Sequence, residues 1–144
     1  MSENRFYWLL QELSKRVRKL EMRALEAGLS EPLSSAEINI ISRIGPDGAE
    51  KLGSIAASLG ITLATLTVAC DKLEERGFIR REKDPDDRRA VCVQLSEKGL
   101  TAFRFHTGFT ESLSELLQRG LEHEEKNALL SAIEKLSVNL AALS

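Results

Sequence analysis

The sequence predicts a mainly α-helical (α+β) fold, a winged helix-turn-helix with a two-stranded wing and a helical region built from the N- and C-terminal helices. Three observations predict it. Apolar residues recur every three or four positions in both terminal segments, two helical segments meet at Gly60, and the apolar period changes to two after Gly77. With 144 residues, 42% of them hydrophobic and 29% charged, we expect one globular domain spanning 1–144.

The first helix has an apolar face and ends near Gly28, since glycine tolerates the left-handed backbone that ends helices. That face includes Phe6, Leu9, Leu10, Leu13, Val17, Leu20, Ala24 and Leu25. A second helix starts at a capping box, in which Ser34 accepts from the backbone of Glu37 while Glu37 reaches back. It runs to about Ile44, where the turn 45–48 combines a proline, an aspartate and two glycines.

A helix-turn-helix follows. A short helix runs from about Glu50 to Leu59, Gly60 ends it, and a second runs from about Leu63 to Arg76. In the second helix four residues recur at helical spacing and point inward: Leu66, Ala69, Cys70 and Leu73. The outward side is then predicted to carry Thr62, Leu63, Thr65, Thr67, Val68 and Lys72.

Two strands follow Gly77, at 78–81 and 90–95, joined by a polar loop over 83–89. Strict alternation of Val91, Val93 and Leu95 with polar or small residues predicts one buried face. This hairpin is the wing.

Ser96 is the predicted N-cap of a long helix that breaks at Gly120, and a last helix begins near Glu122. Apolar residues of the last helix are spaced four, three, four and three apart: Leu129, Ile133, Leu136, Leu140 and Leu143. Such a seam packs on another helix, and two heptads are too short for a free coiled coil.

Charge and composition exclude several classes of protein. Twenty Lys and Arg against 22 Asp and Glu leave a net charge of −2, so bulk charge does not hold nucleic acid. The longest apolar runs are far shorter than the roughly 20 residues of a membrane span, and the start lacks signal-peptide features, so we expect a cytoplasmic protein without a membrane partner. Cys70 and Cys92 are expected to be reduced thiols.

The residues resemble the MarR-type winged helix-turn-helix transcriptional regulators over nearly the whole chain. The most specific part is the wing and its exit over 80–99, where the family shows an Asp-x-Arg element, a strand and Leu-Thr-x-x-Gly. Here Ser96 replaces the usual threonine and keeps the hydroxyl. The recognition-helix pattern over 60–77 is also similar. Residues 62–67 with 104–109 resemble the FabT-like subgroup, repressors of bacterial fatty-acid synthesis genes whose corepressor is long-chain acyl carried on acyl carrier protein.

The resemblance implies a homodimer whose first and last helices interlock, with two winged units on a pseudo-palindromic operator in double-stranded DNA. Residues 1–31 and 97–144 would form the helical dimerisation region, and 32–96 the DNA-binding region. The predicted dimer interface is made of Phe6, Leu10, Leu13, Val17, Leu129, Ile133, Leu136, Leu140 and Leu143.

The outward side of the recognition helix carries hydroxyls and apolar groups, and no arginine precedes Arg76. Arginine pairing with guanine is the commonest specific major-groove contact, whereas Thr and Leu63 suit the thymine methyl, so we expect an A/T-rich operator. Thr62 is equally a candidate N-cap. In the wing we expect four DNA-binding residues, Lys83, Asp87, Arg88 and Arg89. By analogy with the family, Asp87 would brace the wing and Arg89 would enter the narrow minor groove.

The resemblance also implies an effector pocket between the winged unit and the dimer helices. Its predicted lining is Trp8, Phe103, Phe105, His106 and Phe109, although an aromatic stripe at helical spacing is more often core. An acyl effector would need an apolar cavity with one polar end. The basic face of the first helix, with Arg16, Lys19 and Arg23, would meet an acidic carrier protein, or is a solvated face.

Other functions find less support in the sequence. His123-Glu124-Glu125-Lys126-Asn127 begins like a zinc HExxH motif, but Asn127 stands where the second histidine is required, so we expect no enzyme, metal or cofactor. A thiol-based redox sensor of this family usually carries its cysteine in the first helix, where this chain has none. The alternative from another class is a winged-helix protein-interaction module without specific DNA binding.

Overall fold

A computed structural model describes residues 3–48, 50–87 and 89–143, with the side chain of Glu3 excepted. It divides into two compact units, one ending at Phe109 and one beginning at Thr110. Among the described residues no single helix is both long and apolar enough to span a membrane; the helices Leu52–Leu59 and Leu63–Glu75, bent by 111° at their junction, reach that length and composition only together.

The first unit contains α1 (Glu3–Gly28), α2 (Ser35–Ile44), α3 (Leu52–Leu59), α4 (Leu63–Glu75) and most of α5 (Glu97–Leu117). The predicted capping box at α2 is present: Ser34 Oγ accepts from Glu37 N at 3.1 Å, and Ser34 N donates to Glu37 Oε1 at 2.9 Å. Ser96 accepts from the backbone N–H of Gly99 at 3.1 Å, which confirms the predicted start of α5.

The sheet has three strands, β1 (Glu50–Lys51), β2 (Ile79–Lys83) and β3 (Val91–Leu95), in the order β1-β3-β2 with antiparallel pairs. Ile79 lies opposite Leu95 and Lys83 opposite Val91, so the predicted wing hairpin is confirmed. The third strand was missed: Glu50 pairs with Val93, and the helix predicted from Glu50 begins at Leu52. Two residues are too few to display an alternating pattern.

The core of the first unit lies between the helix-turn-helix and the sheet. Its largest fully buried side chains come from α1 to α4 and from β2 and β3, and they are Leu25, Ile38, Ile41, Ile55, Leu66, Cys70, Leu73, Ile79 and Val93. Burying each large apolar side chain stabilises the fold by roughly 1.5 to 3 kcal/mol. The packing of these side chains in one core therefore fixes α4 relative to the wing. Gly60, at φ +68°, ends α3 and allows the sharp turn into α4.

The second unit contains the end of α5 and α6 (His123–Ala141). Glu122 precedes α6 and forms a capping box with Glu125, whose Oε1 accepts from Glu122 N at 2.9 Å. No described residue of α6 is buried. Leu143, counted in the predicted apolar seam, lies beyond the end of this helix.

Candidate nucleic-acid interface

The recognition helix α4 starts with a satisfied N-cap. Thr62 Oγ1 accepts from Thr65 N at 3.1 Å and donates to Thr65 Oγ1 at 2.8 Å. The cap interpretation of Thr62 is therefore correct for its oxygen. Because both hydroxyls remain exposed at the amino end of the helix, they stay accessible to an incoming phosphate or base edge.

Most of the residues predicted to face outward on α4 do so. Leu63 and Val68 are 52% and 56% exposed, and Thr65 and Lys72 are also exposed. Thr67 is half-buried, and its hydroxyl donates to the backbone oxygen of Leu63 at 2.8 Å, which leaves it less available to a ligand.

The same side of α4 carries three residues that the sequence reasoning passed over, Ala64, Asp71 and Glu75, all exposed. They stand four residues before, three after and seven after Val68, which places them on the same helical face, so helical periodicity alone would have found them. The face is therefore apolar near its amino end and acidic near its carboxyl end.

Arg81, on β2, compensates part of that acidity. Its guanidinium Nη2 lies 2.6 Å from Asp71 Oδ1 and 2.9 Å from Glu74 Oε1, and its backbone N–H donates to Glu74 Oε2 at 2.9 Å. The hydrogen bonds that Arg81 donates to Glu74 hold the pKa of Glu74 below its ordinary value, and the same bonds raise the pKa of Arg81. The arginine thus ties the wing to the recognition helix.

The wing loop is organised by aspartates. Asp84 Oδ1 accepts from Asp86 N at 2.9 Å, and Asp87 Oδ1 accepts from Arg89 N at 3.0 Å. The hydrogen bond from Asp86 N holds the pKa of Asp84 below its ordinary value, and Lys51 adds an ion pair at 3.7 Å. Asp87 thus shapes the turn that carries Arg89. Lys83 and Arg89 are exposed, and Arg88 lies outside the described residues.

The residues predicted to line an effector pocket occupy different surroundings. Phe103 and Phe105 pack against the core, and the Phe105 ring fills the space beside Gly28, where an added Cβ would lie 2.0 Å from Phe105 Cζ. Trp8 is 65% exposed, and its ring centroid lies 5.3 Å from that of Tyr7 in an edge-on arrangement. Phe109 is half-buried. Phe103 and Phe105 are thus partly buried side chains packed on the core, and their role in an effector pocket stays a prediction.

His106 lies where three helices meet. Its Nδ1 is 3.0 Å from Ser42 Oγ on α2, and its Nε2, which has no hydrogen-bond partner, is 3.7 Å from Glu21 Oε2 on α1. Ser35 donates to the other oxygen of Glu21 at 3.2 Å. Glu21 and Ser35 also line a cavity of about 330 Å³ together with apolar residues of α1, including Leu10, Leu13 and Val17. Sequence spacing gave no sign of this cluster.

The cysteines are poor nucleophiles. Cys70 is buried, and burial raises the pKa of its thiol to about 11. Partial burial also raises the pKa of Cys92, with the neighbouring Asp84 acting in the same direction. Since the thiolate is the reactive form, both environments disfavour redox sensing.

Large apolar side chains are exposed in both units. In the first unit Phe6, Leu10 and Leu13 are about half exposed, and Val17 is half-buried. In the second unit Leu129, Ile133 and Leu140 are exposed, and Leu136 is half-buried. Groups of exposed large apolar side chains are typical of interaction surfaces.

Metal-binding geometry is missing from the described part of the chain, where no three His, Cys, Asp or Glu side chains are grouped to hold an ion. His123 Nε2 lies 3.2 Å from Asn127 Nδ2, one helical turn away on α6.

Comparison with known proteins identifies the chain. The family model described as MarR family matches residues 33–91. The HTH-type transcriptional regulator PecS of Dickeya dadantii (strain 3937) is 34% identical over 131 residues, which cover 86% of this chain and 79% of that protein. The uncharacterized HTH-type transcriptional regulator YfiV of Bacillus subtilis (strain 168) is 33% identical over 108 residues, covering 73% of this chain and 66% of that protein.

Solved structures of transcriptional regulators bound to DNA share the fold of this chain. Streptococcus pneumoniae FabT in complex with DNA has a TM-score of 0.92 and 26% identity, with 99% of this chain and 100% of that chain covered. The S. aureus MepR–DNA complex has a TM-score of 0.80 at 18% identity, covering 94% of this chain and 96% of that chain, which shows a shared fold.

Proposed function

Because this chain belongs to the MarR family of transcriptional regulators, we propose that it is a homodimeric repressor. It binds a pseudo-palindromic, A/T-rich operator in double-stranded DNA. One observation carries the proposal. The exposed face of α4, which bears hydroxyl and apolar groups, is joined to the wing by the hydrogen bonds from Arg81 to Glu74. A fixed angle between helix and wing suits simultaneous contact with the major groove and the adjacent minor groove.

Base recognition is assigned to α4. Leu63, Val68 and the Thr65 methyl group suit thymine methyl groups, and Thr62 and Lys72 supply a hydroxyl and an ammonium group for base edges and phosphates. Thr67 contributes its methyl group, since its hydroxyl donates to the backbone oxygen of Leu63. The wing contributes Lys83, Arg88 and Arg89 to the minor groove, with Asp87 bracing the loop. Residues 32–96 form the DNA-binding region in this proposal.

Dimerisation is assigned to residues 1–31 and 97–144. Exposed apolar side chains on α1 and α6 support it, because a lone chain leaves them in water. In the proposed dimer each chain presents one recognition helix, and the two helices lie about one turn of DNA apart.

Selection of duplexes from a random library by the purified full chain tests the operator. We expect enrichment of an A/T-rich inverted repeat. A G/C-rich consensus would refute the assigned readout, and no enrichment would favour the alternative, a winged-helix protein-interaction module.

The wing assignment is tested on the selected duplex with Arg89→Ala. We expect a loss of about 1 to 3 kcal/mol in binding free energy, since the guanidinium leaves the groove. Arg104→Ala removes an exposed arginine from α5 and is the matched control. Equal affinities for the wild type and Arg89→Ala at moderate salt would contradict the assignment.

The proposed effector is a long-chain acyl group on acyl carrier protein, in control of fatty-acid synthesis. The likeness to FabT over nearly the whole chain supports this. The cavity beside Glu21 offers apolar walls and a polar end, and Lys19 and Arg23 are exposed on α1 for an acidic carrier. We expect acylated carrier protein to tighten operator binding about 5- to 150-fold, with the unacylated carrier as control. No change with either form would remove this effector.

A further inference from the structure

A cluster of charged side chains lies where the α1–α2 connection, the end of α4 and the start of α5 meet. We call Glu31, Arg76 and Lys98, with the Phe78 ring, the joint. Glu31 Oε1 accepts from Lys98 Nζ, and Glu31 Oε2 lies 3.4 Å from Arg76 Nε. One carboxylate therefore bridges a cation that follows the recognition helix and a cation on α5.

Further hydrogen bonds fix both cations. Arg76 donates to the backbone oxygen of Pro32 at 2.7 Å and to Glu37 Oε2 at 2.8 Å. Lys98 Nζ donates to the backbone oxygen of Arg76 at 2.7 Å. Both cations also contact the Phe78 ring, with Arg76 Cζ 5.1 Å and Lys98 Nζ 4.4 Å from its centroid.

The ion pairs of the joint contribute little to stability, and their importance lies in the elements that they connect. The paired side chains are 22% to 45% exposed, and ion pairs with such access to water each stabilise a fold by at most about 1 kcal/mol. The hydrogen bond from Lys98 holds the pKa of Glu31 below its ordinary value, so the carboxylate stays ionised near neutral pH. Its position, not its stabilising energy, distinguishes Glu31.

Packing of α1 against α5 completes the arrangement. Gly28, the last residue of α1, lies so close to Phe105 of α5 that no side chain fits between them. With α1 and α5 packed together there, the joint ties the carboxyl end of α4 to both.

We propose that Glu31 is a positioning residue: it fixes the angle of the recognition helix relative to α1 and α5, and thereby the separation of the two recognition helices in the dimer. This inference rests on the proposed function, because the separation has meaning only for a two-site operator. Glu31 touches no base in this scheme and acts through Arg76 and Lys98.

The first test compares a full operator with a half operator. Glu31→Gln and Lys98→Met are measured on the duplex that the wild type selects, and on that duplex with one half-site scrambled. We expect full-site affinity to fall about 5- to 150-fold while half-site affinity stays unchanged. Glu12→Gln is the matched control, since Glu12 forms an exposed ion pair with Arg16 one turn along α1.

A parallel loss on both duplexes, together with a lower melting temperature, would show a merely structural role and overturn the proposal. Unchanged affinity on the full site would overturn it as well.

The second test needs no DNA. Spin labels at Lys19→Cys and Val68→Cys, in a Cys92→Ser background and diluted with unlabelled chain, report the distance between α1 and α4 within one protomer. We expect Glu31→Gln to broaden the distribution or move its maximum by about 1 to 2 Å, and Glu12→Gln to leave it unchanged. Identical distributions would overturn the positioning role. A shifted distribution in a protein that selects no duplex would support the joint and refute the proposed function.

Discussion

Arg81 holds Glu74 through both its backbone and its side chain: the N–H donates to Glu74 Oε2 at 2.9 Å, and Nη2 lies 2.9 Å from Glu74 Oε1. Six residues, including the turn at Gly77, separate the two along the chain. A strand of the wing and α4 are therefore joined directly, and the DNA-binding surface proposed for both depends on that contact.

Arg81→Gln tests this fastening. We expect operator binding to weaken by about 1.5 to 3 kcal/mol, because a charge-assisted contact is lost and Asp71 and Glu74 then face phosphate uncompensated. The free energy of unfolding should fall by no more than about 1 kcal/mol, since Arg81 and Glu74 are both partly exposed. Titration of the selected duplex and urea denaturation measure the two effects.

Arg80→Gln is the matched control, because it removes the same charge from an exposed neighbouring position whose side chain points to the other face of the strand. Equal loss of DNA affinity in the two variants would mean that only net charge matters.

Acid stability depends on Glu74. Its pKa in the folded protein is lower than the ordinary value of 4.5, so the carboxylate stabilises the fold above that pH, and the contribution is lost as the pH falls through the folded-state value. We expect Glu74→Gln to be less stable than the wild type at pH 7 by up to about 1 kcal/mol, with the difference shrinking as the pH falls below 4.5. Denaturant unfolding at a series of pH values from 7 downward is the measurement, with exposed Glu75→Gln as control. A difference that does not shrink as the pH falls would contradict the ion-pair explanation.

Gly99 is needed for a close approach. A Cβ added there would lie 2.1 Å from the backbone oxygen of Phe78. Gly99→Ala should therefore destabilise the protein by about 1 to 3 kcal/mol through overpacking. Gly108→Ala, in the same helix with nothing within 4 Å of its Cβ, should be neutral or stabilise by up to about 1 kcal/mol. Thermal unfolding compares the two, and similar behaviour of both variants would refute the contact.

Thiol chemistry offers a separate test. Cys70 is fully buried, with its pKa raised to about 11, so it should resist iodoacetamide in the folded protein and react on unfolding. Mass spectrometry of the alkylated peptides measures this. Rapid labelling of Cys70 at pH 8 without denaturant, or reversible loss of operator binding on mild peroxide treatment, would support the redox-sensing alternative instead.

Local patterns predicted most of the fold. Helix periodicity, the Ser34 capping box and the alternation at Val91, Val93 and Leu95 each act within a few residues, and the structure contains all three features. The strand Glu50–Lys51 was missed because its pairing with β3 depends on residues more than 40 positions away.

The site was predictable only in part. The exposed side of α4 follows from helical geometry, and applying that geometry fully would have included Asp71 and Glu75. The contacts of Arg81 with Asp71, of His106 with Glu21 and of Lys98 with Glu31 join segments whose approach is set by tertiary packing. Spacing along the sequence holds no information about them.

Binding of the purified full chain across a salt series, to the duplex that it selects and to a shuffled duplex of equal composition, tests the central claim most directly. The account predicts affinity for the selected duplex about 10³ to 10⁷ times higher than for the shuffled one at physiological salt, with a steep fall as salt rises. Equal affinity for the two duplexes, or no binding to either, would contradict sequence-specific DNA recognition by this chain.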